Sequence, residues 1–251
     1  MFDIKNKNII VTGANGGNGF CIADGLLKAG ANVIGIDKSF NRQDIDFETV
    51  TVDLTNFKEV KNSFDNLTDK FGTITGLVNN AGVSFASDTP YEDYDIYDQT
   101  IQINLNSVFN LTALFCNKIK DDNYGMFDPN KEWSSVVNIT SLGASLGFPN
   151  NPSYQISKAG LDQLTIAFAC DWSKYNIRFN NICPGYIKTP MTQKSYDNQL
   201  LRYERTKRTM LNRWGESKDL LGASIFLLSN ASSYITASTI NVDGGWLAKG
   251  F

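Results

Sequence analysis

Tyr154 and Lys158 stand four residues apart in a stretch with helical periodicity, so their side chains share one helix face, a turn apart. A free phenol titrates near pH 10 and is a poor base at neutrality. An ammonium group a few ångströms away favours the phenolate, which brings the tyrosine toward the range where it exchanges a proton with an alcohol or a carbonyl. Such pairs also occur in helices whose lysine is merely solvated, so the rest of the chain must discriminate. Histidine is absent from all 251 residues. That excludes Ser-His-Asp triads, Cys-His pairs, HExxH zinc sites and imidazole bases, and leaves carboxylates, Lys, Tyr and Cys as acids and bases. Cys21, Cys116, Cys170 and Cys183 form no CxxC pair and fit neither a zinc ribbon nor a disulfide scaffold. They are expected to be reduced core thiols, with no metal bound.

A second constellation lies near the start. Thr12-Gly13-Ala14-Asn15-Gly16-Gly17-Asn18-Gly19 follows a β-branched run and opens an amphipathic stretch. Glycines there let the backbone bend sharply and approach a pyrophosphate, whose charge is favoured by the free N–H groups and dipole of the helix N-terminus. Gly13, Asn15, Gly17, Asn18 and Gly19 are therefore candidate cofactor contacts, although such turns also occur where nothing binds. Asp37 ends the next apolar run, 18 residues beyond Gly19. A carboxylate at that place accepts hydrogen bonds from ribose hydroxyls and repels a 2′-phosphate, which favours NAD over NADP. Lys38 and Arg42 follow closely and keep a 2′-phosphate as the alternative.

The elements that must position these groups alternate along the chain. Strands are predicted at Asn8–Thr12, Asn32–Ile36, Thr49–Asp53, Gly76–Asn79, Ser135–Thr140, Arg178–Ile182 and Thr239–Val242. Helices are predicted at Gly19–Ala29, Phe57–Phe71, Gln99–Ile119, Ser153–Ser173 and Lys218–Leu228. This is the pattern of one α/β domain over residues 1–251, a doubly wound Rossmann-type fold with a seven-stranded parallel sheet. The link Ser39–Phe47 is too short for a full helix, so that face of the sheet should be thinly covered. Asp121–Lys131, with Gly125 and Pro129, reads as a surface loop. Pro184–Trp214 is far longer than an ordinary connection and reads as a substrate lid.

Composition narrows the partners. Hydrophobic residues at 42% supply a sizeable core, and 23 basic against 26 acidic side chains give a formal charge of −3, so no positive field recruits nucleic acid or an anionic membrane. No apolar run reaches the roughly 18 residues of a membrane span, and the first residues do not look like an export signal. A cytoplasmic location is expected.

Thr12-Gly-x-x-x-Gly-x-Gly19, Asn79-Asn80-Ala81-Gly82, Asn104, Ser141, Tyr154-x-x-x-Lys158 and Pro184-Gly185 resemble, in order and spacing, the motifs of the short-chain dehydrogenase/reductase family. The resemblance runs to Asn241-Val242-Asp243-Gly244-Gly245, essentially the whole chain. It implies that Tyr154 is the general acid/base and that Lys158 lowers its pKa while binding the nicotinamide ribose. Ser141 would hold the substrate oxygen, and Asn104 a water linking Lys158 to solvent. By the same resemblance Asp53 and Leu54 would pack beside the adenine, Asn80, Ala81 and Gly82 under the adenosine ribose, and Ile187 and Thr189, after Pro184 and Gly185, on the nicotinamide carboxamide. Asn18 departs from the family's usual apolar residue, so the turn is expected to pack less tightly.

The family implies hydride transfer at an alcohol or ketone carbon. Seven basic residues in the lid, against Asp197 and Glu204, would suit an anionic small molecule, or would simply face solvent. Arg213-Trp214-Gly215-Glu216 and the stretch after Val242 resemble the gluconate and deoxygluconate dehydrogenases of the family, which implies a sugar acid or polyol. Val33-Ile-Gly-Ile-Asp37 resembles dihydro-dihydroxybenzoate dehydrogenase, the runner-up, and a 3-oxoacyl-carrier-protein reductase is a third reading. A dinucleotide sensor without catalysis is the least favoured, since Tyr154 and Lys158 are both present. A homotetramer is expected: the helices around Phe109, Leu111, Leu114 and Phe115 and around Leu161, Leu164, Ile166, Phe168 and Trp172 carry apolar surplus, and the resemblance implies one two-fold interface at this helix pair and another at the tail carrying Trp246, Leu247 and Phe251.

Overall fold

The computed structural model describes residues 1–123, 128 and 132–249. The predicted surface loop Asp121–Lys131 begins as the end of a helix, to Asn123, and of the rest only Asp128 is described; Gly125 and Pro129 lie outside the described residues, as does Phe251.

Short apolar runs without a polar face become strands covered on both sides. In chain order these are β1 (Asn8–Thr12), β2 (Asn32–Asp37), β3 (Glu48–Thr51), β4 (Gly76–Asn79), β5 (Ser134–Ile139), β6 (Ile177–Pro184), the short β7 (Ile187–Lys188) and β8 (Gly215–Glu216), and β9 (Ser238–Val242). β1, β2 and β4 to β6 are buried almost throughout, as the centre of a parallel sheet must be. Seven strands make one parallel sheet in the order β3-β2-β1-β4-β5-β6-β9, while β7 and β8 pair separately.

Helices cover both faces. α1 (Gly17–Lys28) packs Ile22, Ala23 and Leu26 on one face, joined by Leu227 and Leu228 of α8 (Leu221–Leu228). On the other, α2 (Phe57–Phe71), α4 (Ser107–Asn123) and α5 (Pro152–Trp172) bury Val60 and Phe64, Leu111 and Phe115, and Leu161 and Phe168. Local chemistry sets their ends. Asn56 caps α2 by accepting from the Glu59 N–H at 3.4 Å and donating to its carboxylate at 2.7 Å, and Gly72 with φ +74° stops it. Pro152 opens α5, where a missing N–H costs nothing.

Several boundaries differ from the sequence expectation. The predicted helix Gln99–Ile119 is α3 (Tyr94–Ile101), a π turn over Gln102–Asn106, and α4, because Asn104 is drawn out of regular register by partners described below. The last helix begins as a 3₁₀ turn at Ser217–Leu220. The link after β2 has no helix, as expected, and Phe40, Ile45 and Phe47 cover that face instead. Phe47 comes so close that a Cβ on Gly35 would sit 2.5 Å from its ring. The cysteines are free, but only Cys116 and Cys183 are buried; Cys170 falls on the outer face of α5 and Cys21 is half-buried. Much of the predicted apolar surplus is core: Leu111, Phe115, Leu161, Leu164 and Phe168 are buried within the chain, which leaves Phe109 and Ile166 exposed. Trp246 is likewise buried against Leu142 and Cys183 of its own chain. Among the described residues no helix is long and apolar enough to cross a membrane.

Candidate active site

Strand order reverses at β1 and β4, and in such sheets a crevice opens at the carboxyl ends of the strands beside the reversal. Thr12 stitches that point: its Oγ1 accepts the N–H groups of Asn80 and Ala81, both at 3.0 Å, and its carbonyl accepts Asn80 Nδ2 at 3.0 Å. A cavity of about 430 Å³ follows the crevice. Its walls include Gly13, Asn15, Gly17, Asn18 and Asp37 after β1 and β2, then Asp53, Leu54, Asn80, Ala81 and Gly82, and finally Ser141, Tyr154, Lys158, Pro184, Gly185, Ile187 and Thr189 at the β5 and β6 side. Gly19 and Asn104, also predicted, stand behind the wall. Thr140, Met191 and Thr192 line it and were not anticipated. Only Thr192, three residues after Thr189 across a proline, left a trace in the sequence; its Oγ1 receives the Thr189 N–H at 3.0 Å and donates to the Ile187 carbonyl at 2.5 Å.

The glycine turn has the shape a pyrophosphate requires. Gly13 and Gly17 have φ of +68° and +54°, and a Cβ on Gly19 would lie 2.0 Å from the Gly13 carbonyl oxygen. The N-terminus of α1 opens there without a side-chain cap, so its N–H groups remain for a ligand. These residues fit a nicotinamide dinucleotide. Asp37 is tied to the same turn, accepting the Asn15 N–H at 3.0 Å and the Lys38 N–H at 2.8 Å. Arg42 is engaged elsewhere, bonded to both carboxylate oxygens of Asp44 at 3.0 and 2.5 Å and stacked 3.7 Å over the Phe20 ring, whereas Lys38 lines the cavity. Asn18, where the family's apolar residue was expected, supplies a polar contact instead. Its Oδ1 accepts from Ser217 Oγ at 2.8 Å and so links the turn to the 3₁₀ turn before α8.

At the β5 side, α5 presents Tyr154 and Lys158 on one face. Lys158 is buried at 4% exposure and donates to the Ile139 carbonyl at 2.8 Å. Desolvation lowers its pKa to about 8, opposed by the charge of Asp162 one turn on. Tyr154 departs from the expectation: burial raises its pKa, with the Ser141 hydroxyl acting in the opposite sense. The phenolate is disfavoured chiefly because the ring is removed from water. Ser141 lies just past β5, not within it, and its Oγ accepts the Gly143 N–H at 3.1 Å, so it caps the next turn while lining the cavity. Asn104 is fully buried, and its amide is bonded outside its own helix: Oδ1 accepts the Val83 N–H at 2.8 Å, and Nδ2 donates to the Val83 carbonyl at 2.9 Å and Ser157 Oγ at 3.0 Å. It fastens the segment after β4 to α5.

Beneath this face runs a buried polar chain that the sequence did not disclose. Asn79 donates to Asn138, Asn138 to Thr165, Thr165 to Asn181, and Asn181 to Asp162, at 2.6 to 2.9 Å. Each member is satisfied, so the chain fixes the register of β4, β5 and β6 under the catalytic helix.

A family model described as enoyl-(acyl carrier protein) reductase matches residues 13–247, a span that carries the glycine turn from Gly13 and the rest of this site apart from Thr12. The chain belongs to the short-chain dehydrogenase/reductase family. It is an oxidoreductase of that family, acting on CH–OH groups. It is 34% identical over 257 residues to 2-dehydro-3-deoxy-D-gluconate 5-dehydrogenase of Escherichia coli K12, covering 99% of this chain and 98% of that one. It is 29% identical to 5-keto-D-gluconate 5-reductase of the same organism, with 98% of both chains covered. Among solved structures it superposes with a TM-score of 0.90, at 27% identity and with 99% and 98% of the two chains covered, on a gluconate 5-dehydrogenase from Burkholderia cenocepacia in complex with NADP and tartrate.

Proposed function

We propose that this short-chain dehydrogenase/reductase interconverts a secondary alcohol and a ketone on a sugar acid, with NAD as cofactor. The observation that carries the reading is the single cavity that joins the glycine turn and Asp37 to Ser141, Tyr154 and Lys158. When bound, the nicotinamide supplies the acceptor or donor of the hydride. In the oxidative direction Tyr154 takes the hydroxyl proton, and it returns that proton in the reductive one. Ser141 Oγ holds the reacting oxygen, and the Lys158 ammonium holds the nicotinamide ribose and stabilises the phenolate. Asn104 has committed its amide, so its main-chain carbonyl in the π turn is the group left to hold the relay water. Asp53, Leu54, Asn80, Ala81 and Gly82 flank the adenosine half, and Ile187 and Thr189 the carboxamide. Residues 184–214 close over the substrate within one domain spanning 1–251.

The sugar-acid reading is supported by the names of full-length relatives in two independent activities on gluconate derivatives. NAD is supported by Asp37, turned to the cavity, and by Arg42, turned to Asp44. A cytoplasmic setting accords with four free cysteines. A homotetramer accords with the exposed Phe109 and Ile166 on neighbouring helices.

The test is kcat/KM for D-gluconate, 2-dehydro-3-deoxy-D-gluconate and their 5-keto counterparts, measured with NAD(H) and NADP(H) separately. Turnover of at least one pair with an NAD(H) preference is expected, and Asp37→Ser should narrow that preference by removing the carboxylate that repels a 2′-phosphate. Wild-type preference for NADPH would overturn the NAD assignment and make Lys38 the phosphate ligand.

A further inference from the structure

The basic residues of the lid do not share one fate. Lys188, Lys194, Arg202, Lys207, Arg208 and Arg213 are exposed. Arg213 is also spent, bonded to both oxygens of Asp219 at 2.7 and 3.1 Å. Arg205, on α7 (Gln199–Arg208), is drawn inward instead. Its guanidinium carbon lies 4.4 Å from the ring centroid of Tyr186 and 6.0 Å from that of Trp214. Nη1 is buried without a hydrogen-bond partner, and among the described residues the arginines held in ion pairs are Arg42 and Arg213.

A desolvated guanidinium nitrogen with no acceptor is unfavourable, and buried polar groups in folded proteins are otherwise almost always satisfied. Neither Arg205 nor Tyr186 is itself in the cavity wall, but that wall begins one residue to either side of Tyr186. Tyr186 sits between Gly185 and Ile187, which line the cavity together with Ser141 and Tyr154. Its ring also packs edge-on against Phe148 at 6.4 Å and joins the cluster holding Leu142, the residue after Ser141. The Tyr186 ring lies 5.2 Å from that of Trp214 and 5.1 Å from that of Trp246.

We infer that Arg205 is the specificity-determining residue of the lid and binds the carboxylate of the substrate, with the aromatic rings holding its fork in place. A planar cation matches a planar carboxylate through two parallel hydrogen bonds, and a ring-stacked guanidinium is pre-organised for it. The inference rests on the sugar-acid reading above.

The experiment compares a hexonate, D-gluconate, with its neutral amide, which has the same carbon chain and hydroxyls. Kd is measured by calorimetry on the NAD-loaded enzyme, alongside kcat/KM. Wild type should favour the acid. Arg205→Gln should weaken the acid by ~10- to 100-fold, the range of a charged hydrogen bond at ~1.4 kcal/mol per tenfold, chiefly in KM, and leave the amide within about twofold. Arg205→Lys should recover part of the loss, and Arg208→Gln, an exposed neighbour, should change neither ligand. Equal loss on acid and amide would assign Arg205 to holding the lid shut and overturn the inference. Full retention of acid binding by Arg205→Gln, in an enzyme active on hexonates, would overturn it alone. A wild type that binds the amide as well as the acid, or turns over neutral polyols but no sugar acid, would overturn the sugar-acid reading and the inference together.

Discussion

Lys158 Nζ sits 5.8 Å from the ring centroid of Tyr154 and gives its hydrogen bond at 2.8 Å to the Ile139 carbonyl. The two side chains of the motif are neighbours that do not bond. Burial raises the phenol and lowers the amine to about 8, so at neutral pH the phenol keeps its proton while the amine is still mostly charged.

Tyr154→Phe removes one hydroxyl and little volume. Turnover should fall at least ~100-fold, the lower range for a positioned general acid/base, while cofactor affinity stays nearly unchanged. Fluorescence titration with the reduced cofactor checks the second half. Retention of more than about a tenth of kcat is incompatible with Tyr154 moving the proton.

Lys158 makes stability depend on pH with a definite sign. Its folded pKa is about 8 against 10.5 for the free side chain, so between those values the unfolded chain binds more protons and stability rises with pH. The cost of burying the ammonium is present in full below pH 8 and is relieved as pH climbs toward 10.5. Measured against Lys158→Met, in which every other group cancels, wild type should gain ~2 kcal/mol between pH 8 and pH 10, at ~1.4 kcal/mol per unit. Denaturant titrations of both proteins without cofactor read this directly. A constant difference across that range would mean that Lys158 keeps its ordinary pKa.

The parts of this site that were legible in the sequence are those that depend on backbone shape or on helical periodicity. The turn from Gly13 to Gly19 needs glycine because a Cβ at Gly19 would overlap the Gly13 carbonyl, and Tyr154 and Lys158 share a face by spacing alone. β1, β4 and the helix Phe57–Phe71 fell where periodicity put them, since each end has its own stop signal. What was illegible depends on contacts between distant segments. Asn104 joins Val83 and Ser157, and Asn181 joins Asp162, across separations that no local pattern records. Arg205 looked like any other charge on a basic helix until its burial distinguished it.

Asn18 is a case of a side chain whose partner could not be guessed, and it yields a stability prediction. Its bond with Ser217 spans 199 residues of sequence and is partly buried. A double-mutant cycle with Asn18→Ala and Ser217→Ala should show a coupling of ~1 kcal/mol, the net worth of such a bond. Both single variants should lower the melting temperature by similar amounts, and the double variant by less than their sum. Strict additivity would mean that solvent serves both groups equally well.

Assembly is the remaining prediction, and burial limits it. Phe109 is 52% exposed, and Ile166 and Ile156 on the neighbouring helix 47% and 49%, although most other large apolar residues of the two helices are in the core, and the Phe109 ring stands edge-on to Phe168 at 5.4 Å. Apolar groups left out in this way on two adjacent helices gain from pairing with the same helices of a second copy across a two-fold axis. The tail cannot contribute Trp246 to a second axis, because that ring is already packed beneath Tyr186. The helix-pair contact is therefore expected to be the stronger of the two that a D₂ tetramer needs. Light scattering of wild type should give about 112 kDa, four chains of 27.9 kDa each. Phe109→Asp with Ile166→Asp should reduce it to a dimer at most, because a carboxylate buried at a self-contact on a two-fold axis meets its own copy. A monomeric wild type at micromolar concentration would refute the assembly. A dimeric wild type that the double substitution converts to monomer would place the helix pair as the lone stable interface.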